Sequence, residues 1–141
     1  MIRDFKEMDM EQVLNIWLEA SIKAHSFIEK SFWESKLIEM RDIYLPSGET
    51  YVYEADGSIS GFVSLCDDTL AALFVSPSFQ SKGIGTQLMA KAKDVRRNLQ
   101  LTVYKENNKS IEFYKKCGFR ILKEQIDEHT GYKEFLMGFN Y

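Results

Sequence analysis

From Leu70 to Val75 the chain has no polar residue, and the apolar spacing changes period on either side of that run. Val13, Ile16, Trp17, Ala20 and Ala24 fall on one helical stripe, and Asp9 with Gln12 gives a capping-box signal for a helix starting near Asp9. Phe32, Trp33, Lys36, Leu37, Met40 and Ile43 predict a second helix, stopped by Pro46 and Gly48. Thr50 to Ala55 and Ile59 to Leu65 are β-rich and joined by Asp56-Gly57, a tight-hairpin pair that opens a β-meander. Leu70 to Val75 reads as a central strand covered on both faces and ended by Pro77. Ile84, Leu88, Ala92 and Val95 then predict a helix from about Gly83 to Asn98, and Leu99 to Tyr104 alternates as a strand. Strand, helix and strand in that order imply a parallel, right-handed crossover, with ligands beyond the strands' carboxyl ends. Asn107-Asn108 caps a short helix bearing Ile111, Phe113, Tyr114 and Cys117 and closed by Gly118, before closing strands at Phe119 to Gln125 and Lys133 to Phe139.

Composition narrows the class. With 141 residues, 45% of them hydrophobic and 28% charged, one domain spanning 1–141 is expected. A net charge of -3 disfavours a nucleic-acid partner. The start lacks a signal-peptide core and no run is long enough to span a membrane, so the expectation is a cytoplasmic chain with no membrane partner, a monomer or weak homodimer. Cys66 and Cys117 read as small packing residues, and with only His25 and His129 as histidines no metal site is expected.

The chemistry concentrates at Gln80-Ser81-Lys82-Gly83-Ile84-Gly85, between the apolar strand and the next helix. Two glycines one residue apart let backbone approach an anion, and the helix's first N–H groups have no internal partners. The pattern lacks the Lys-Ser/Thr ending of a P-loop and has Leu88 where a dinucleotide fingerprint needs a third glycine.

Together with Asn107-x-x-Ser110-Ile111-x-Phe113-Tyr114-x-Lys116-x-Gly118-Phe119, this loop makes nearly the whole chain resemble the GCN5-related N-acetyltransferase superfamily. In that family a Q/R-x-x-G-x-G/A loop binds the pyrophosphate of acetyl-coenzyme A, matched here by Gln80, Gly83 and Gly85. Ser110 stands where the family usually has alanine. The resemblance implies an α/β (α+β) fold: a mixed, mainly antiparallel sheet of about six to seven strands, flanked by helices and splayed centrally for coenzyme A. It implies that Gln80, Ser81, Lys82, Gly83, Ile84, Gly85 and Thr86 hold the diphosphate. Leu73, Phe74 and Val75 then pair with the pantetheine arm, with Asn107, Ser110 and Tyr114 also on the cofactor. Tyr114 is the implied general acid toward the departing thiolate, and the acceptor is a primary amine: a protein lysine or N-terminus, or a small molecule.

An amine must be neutral to attack, so a base or water chain is needed. Glu54, Asp67, Asp68, Glu106 and His25 are candidates by position, with Glu106 favoured. His25 and Phe27 lie off the first helix's stripe and are acceptor-site candidates, whereas Trp17 and Trp33 read as core. Lys91, Lys93, Asp94, Arg96 and Arg97 read as a solvated helix face. A non-catalytic acyl-coenzyme A sensor is the competing function.

Overall fold

A computed structural model describes residues 1–141. Asp56-Gly57 turns β2 (Glu49–Ala55) back on β3 (Ser58–Cys66), and β3 pairs antiparallel with β4 (Thr69–Val75). Helix α3 (Ile84–Val95) then crosses over to β5 (Leu99–Tyr104), which runs parallel to β4. Helix α4 (Asn108–Lys116) leads to β6 (Arg120–Ile126) and β7 (Lys133–Phe139), and β7 inserts between β5 and β6. With β1 (Ile2–Asp4) at the far edge, one seven-stranded sheet has the order β1-β2-β3-β4-β5-β7-β6.

Alternation along the strands divides the core between two faces, because successive side chains point to opposite sides. Phe62 faces α1 (Met10–Ala24), joining Val13, Ile16 and Trp17, while Val63 faces α3, joining Leu88, Met89 and Ala92. No helix is long and apolar enough to cross a membrane.

The structure corrects five local expectations. Asp9 does not cap α1; its carboxylate accepts from Arg3 at 2.8 and 2.9 Å and from the Lys6 N–H at 2.8 Å. Gln12 instead accepts from the Ile59 N–H at 2.9 Å, tying α1 to the sheet. The second helix is broken into α2 (Lys30–Ser35) and three short helical pieces, Leu37–Glu39, Met40–Tyr44 and Leu45–Ser47. The middle piece has π-type bonding, and Pro46 lies inside the last turn near its start, where a missing N–H is tolerated. Cys66 is exposed at the end of β3 rather than packed. Finally, β4 is covered on both faces, with Leu73 and Val75 on the α3-side core and Ala72 and Phe74 on the α1-side core, but less fully than its apolar run implies: Ala71 is exposed and the other four are half-buried, since the edge toward β5 opens on a cleft.

That cleft exists because β4 and β5 separate at once. Their only paired residues are Thr69 and Gln100, with the Gln100 N–H donating to the Asp68 carbonyl at 2.9 Å. Beyond this point the strands diverge toward their carboxyl ends.

Candidate active site

The opening between β4 and β5 is a cleft of about 1320 Å³, lined on one side by β4 and the loop to α3 and on the other by β5 and α4. The β4 edge facing it is set by pairing. Ser76 N–H donates to Ser60 on β3, whereas the Val75 carbonyl accepts from Gln80 Nε2 at 3.1 Å, so Val75 turns its backbone away from β3. Alternation places the Leu73 backbone groups on the same free edge.

At the carboxyl end of β4 the backbone makes an anion nest. Ser81 and Gly83 have φ of 67° and 83°, left-handed values that flank Lys82. Glycine at 83 is favoured by that φ and not by crowding, since a Cβ there would meet no atom within 4 Å. The first α3 bond is from Gln87 N–H to the Gly83 carbonyl at 3.1 Å, which leaves the N–H groups of Gly85 and Thr86 free toward the cleft. This donor set, at the positive end of a helix, fits a diphosphate without an arginine cluster.

The loop residues divide in role. Ser81, Gly83, Ile84, Gly85 and Thr86 line the cleft, whereas Lys82 lies outside the lining with its Nζ 5.3 Å from the centre of the Phe79 ring. Gln80 lines the cleft too, but its side-chain amide is a strut. It donates to Val75 and its Oε1 accepts from Lys109 Nζ at 3.4 Å, linking β4, the loop and α4.

Opposite the nest, Asn107 Oδ1 accepts from the Ser110 N–H at 3.2 Å and so caps α4. Asn107, Ser110 and Tyr114 recur at i, i+3 and i+7, one face of that helix, and all three line the cleft. Tyr114 is half-buried, packed on Phe113 and Phe119 with ring centres 5.6 and 5.8 Å away. Its hydroxyl has no protein partner. Burial pushes the phenol up to about 12, with the nearby Cys117 acting in the same direction.

On the α1 side the wall is Ala20, Ala24, Phe32 and Trp33, and the lining also includes Tyr104, Asp127 and Glu134. Trp33 is buried, as its apolar stripe implies, and also touches the cleft. Tyr104 Oη donates to Asp127 Oδ2 at 2.6 Å, and burial, then that bond, raises the phenol's pKa. Burial works against ionisation of Asp127, but bonds from Tyr104, Thr130 and the His129 N–H hold its carboxyl below the usual value.

Among the base candidates, His25 and Glu106 reach the cleft. Glu54 is held by Arg3 at 3.1 Å, and neither it nor Asp67 nor Asp68 lines the cleft. Phe27 stands behind the wall, edge-on to Tyr104 and Tyr132, and its carbonyl accepts from Tyr132 Oη at 2.8 Å. The expected charged face is partly engaged and shorter than expected: α3 ends at Val95, Lys91 lies over Tyr51, and Arg96, beyond the helix in extended backbone, pairs with Glu49. Tyr104, Asp127 and Glu134 were not singled out by sequence reasoning. The available signal was Tyr104 as the aromatic on the polar side of its strand.

A parallel strand pair that opens beside a backbone nest, with an unpartnered phenol on the far wall, defines a group-transfer enzyme for a long diphosphate-bearing donor. Residues 46–121 match the family model described as an acetyltransferase (GNAT) domain. Over 138 residues the chain is 34% identical to the peptidyl-lysine N-acetyltransferase YiaC of Escherichia coli K12, an alignment covering 97% of this chain and 94% of that protein. Its fold is similar to that of apo-form YjaB from Escherichia coli, with a TM-score of 0.86 at 23% identity over 99% of this chain and 97% of the other. It is also similar to the PaiA N-acetyltransferase from Thermoplasma acidophilum in complex with coenzyme A, with a TM-score of 0.82 at 21% identity over 100% and 98% of the two chains. The chain belongs to the GCN5-related N-acetyltransferase family and is an acetyl-coenzyme A-dependent acyltransferase.

Proposed function

We propose that this enzyme acetylates the side-chain amine of lysine in proteins or peptides, with Tyr114 on the cosubstrate's sulfur and the α1 side of the cleft receiving the amine. The observation that carries the reading is the opening of the sheet between β4 and β5 with Tyr114 on its wall. The 34% identity to a peptidyl-lysine N-acetyltransferase supports the choice of acceptor. So does the chain's net charge of -3, which favours approach of a cationic side chain.

Acetyl-coenzyme A supplies the activated acetyl thioester. The nest and the α3 N-terminus hold its diphosphate, and the free edge of β4 at Leu73 offers backbone groups to its amide-bearing arm. Asn107 has one amide hydrogen left for that arm after its internal bonds. Tyr114 remains protonated throughout the working range. With a phenol near 12 against a thiol near 8.5, full proton transfer is uphill by a factor of about 10³, so Tyr114 acts by donating a hydrogen bond to the developing thiolate. The amine loses its proton to water, with Glu106 the carboxylate candidate on the cleft lining.

Release of free coenzyme A, followed with a thiol reagent, tests this. Lysine peptides should support release better than free amino acids or polyamines, and Tyr114→Phe should lower kcat by about ten- to a thousandfold with acetyl-coenzyme A affinity little changed. No release with any amine, despite tight cosubstrate binding, would favour the sensor. Since the phenol sits near 12, the pH–rate profile should show no fall between pH 7 and about 10 that Tyr114→Phe abolishes.

A further inference from the structure

His25 sits at the junction of the two walls. Its ring stacks on Trp33 with centres 5.0 Å apart and meets Tyr104 and Phe27 edge-on at 5.2 and 5.9 Å. His25 and Asn107 are each only 8% exposed, and Nε2 of the one lies 3.3 Å from Nδ2 of the other.

The protons in this contact follow from Asn107's other bond. Its Oδ1 accepts from the Ser110 N–H, so its nitrogen must face the imidazole, and an amide nitrogen can only donate. Nε2 is therefore the acceptor, and the neutral ring carries its proton on Nδ1. That buried Nδ1 makes no well-formed hydrogen bond, and the acceptor beside it is the Ser21 carbonyl, which takes the His25 backbone N–H at 3.0 Å and has a second lone pair to favour a proton on the ring. Moving the proton to Nε2 would set donor against donor at Asn107. The ring is thus held in the tautomer that serves Asn107.

We propose that His25 is a positioning residue for acetyl transfer: by accepting from Asn107 it fixes the cap of α4, and so the orientation in which that helix presents Ser110 and Tyr114 to the cleft. The bond joins residues 82 apart in sequence, linking the α1–α2 connection on the acceptor wall to the helix on the donor wall. Catalytic geometry is sensitive to such anchors, since a displacement of about 1 Å can lower rates by about a hundredfold. The inference rests on the acetyl-transfer reading for its kinetic consequences, but not for its tautomer.

Two substitutions separate the acceptor from the aromatic packing. His25→Phe fills the cage without an acceptor, whereas His25→Gln offers an amide oxygen to Asn107 with a poorer fit. Expected is a loss of about tenfold in kcat/KM for His25→Phe, shared between a raised KM for acetyl-coenzyme A and a lowered kcat, with most of it restored by His25→Gln. In protein already carrying Asn107→Ala, His25→Phe should change kcat/KM no further. Imidazole ¹⁵N shifts of the free wild-type protein should show protonation at Nδ1. Unchanged kinetics in His25→Phe, equal impairment of both variants, or an Nε2-protonated ring would overturn the proposal. If His25→Phe fails to fold, the tautomer and His25→Gln decide. A wild-type protein that releases no coenzyme A with any amine would sink the acetyl-transfer reading, while the ¹⁵N spectrum and calorimetric acetyl-coenzyme A affinities of the variants still judge His25.

Discussion

Gly83 and Gly85 look equivalent in the loop motif, yet the structure gives them different reasons to be glycine. A Cβ at Gly85 would lie 3.5 Å from the Phe113 ring, ordinary van der Waals contact, in a helical backbone. Alanine fits there, as the G/A alternative in the motif implies, and as the better helix former it should add up to about 1 kcal/mol of stability. At Gly83 the φ of 83° strains any L side chain by about 1–2 kcal/mol and distorts the nest. Calorimetry and thermal melts should therefore find Gly85→Ala with near-native acetyl-coenzyme A affinity and equal or higher Tm, and Gly83→Ala weaker in both. A matched loss in the two variants would refute the distinction. The motif made both positions legible; the backbone angle that tells them apart was not written in residue types.

Among the elements, β1 illustrates what periodicity cannot reach. Three residues, Ile2–Asp4, carry no alternation to detect, and their strand exists because Arg3 is clamped between Asp9 and Glu54 while the backbone pairs with β2. The same clamp removed Asp9 from its expected capping role. Hydrogen bonds from Arg3 hold the Asp9 carboxyl below its ordinary value, against the opposing effect of burial. A depressed carboxylate contributes stability that is present above its unfolded pKa, near 4, and is lost as pH falls through the lower folded value. Arg3→Gln should thus move the midpoint of acid unfolding toward neutral pH, read by circular dichroism, and an unmoved midpoint would show that the clamp is dispensable. By contrast α1, α3, the Asp56-Gly57 hairpin and the α4 cap were legible, because each has a long period or a specific turn or cap residue. The irregular Leu37–Ser47 run was not, since an apolar stripe does not report where bonding slips from α to π.

For the whole molecule, the apolar run of β4 was legible as a central strand covered on both faces, but the cleft along its edge was not. Leu73, Phe74 and Val75 both pack on the two cores and wall the cleft, and residue types do not distinguish a wall from a buried layer. The sheet that results is two half-sheets, β1 to β4 and β5 to β6, joined at Thr69 and Gln100. Hydrogen exchange in the free protein should therefore show the Leu73 amide unprotected while neighbours bonded to β3 are slow. Acetyl-coenzyme A should slow exchange at Leu73 and on both flanks, and a Leu73 amide already protected without it would contradict the free edge.

Apart from the shared core, the joint at Thr69 and Gln100 is the only backbone pairing between the halves, and acetyl-coenzyme A bound along β4 as proposed would act as an eighth strand across it. Cooperativity between the halves, and with it the lifetime of the folded chain against proteases, should then follow the acetyl-coenzyme A concentration around it. A shortage of donor would lower the amount of enzyme as well as its rate.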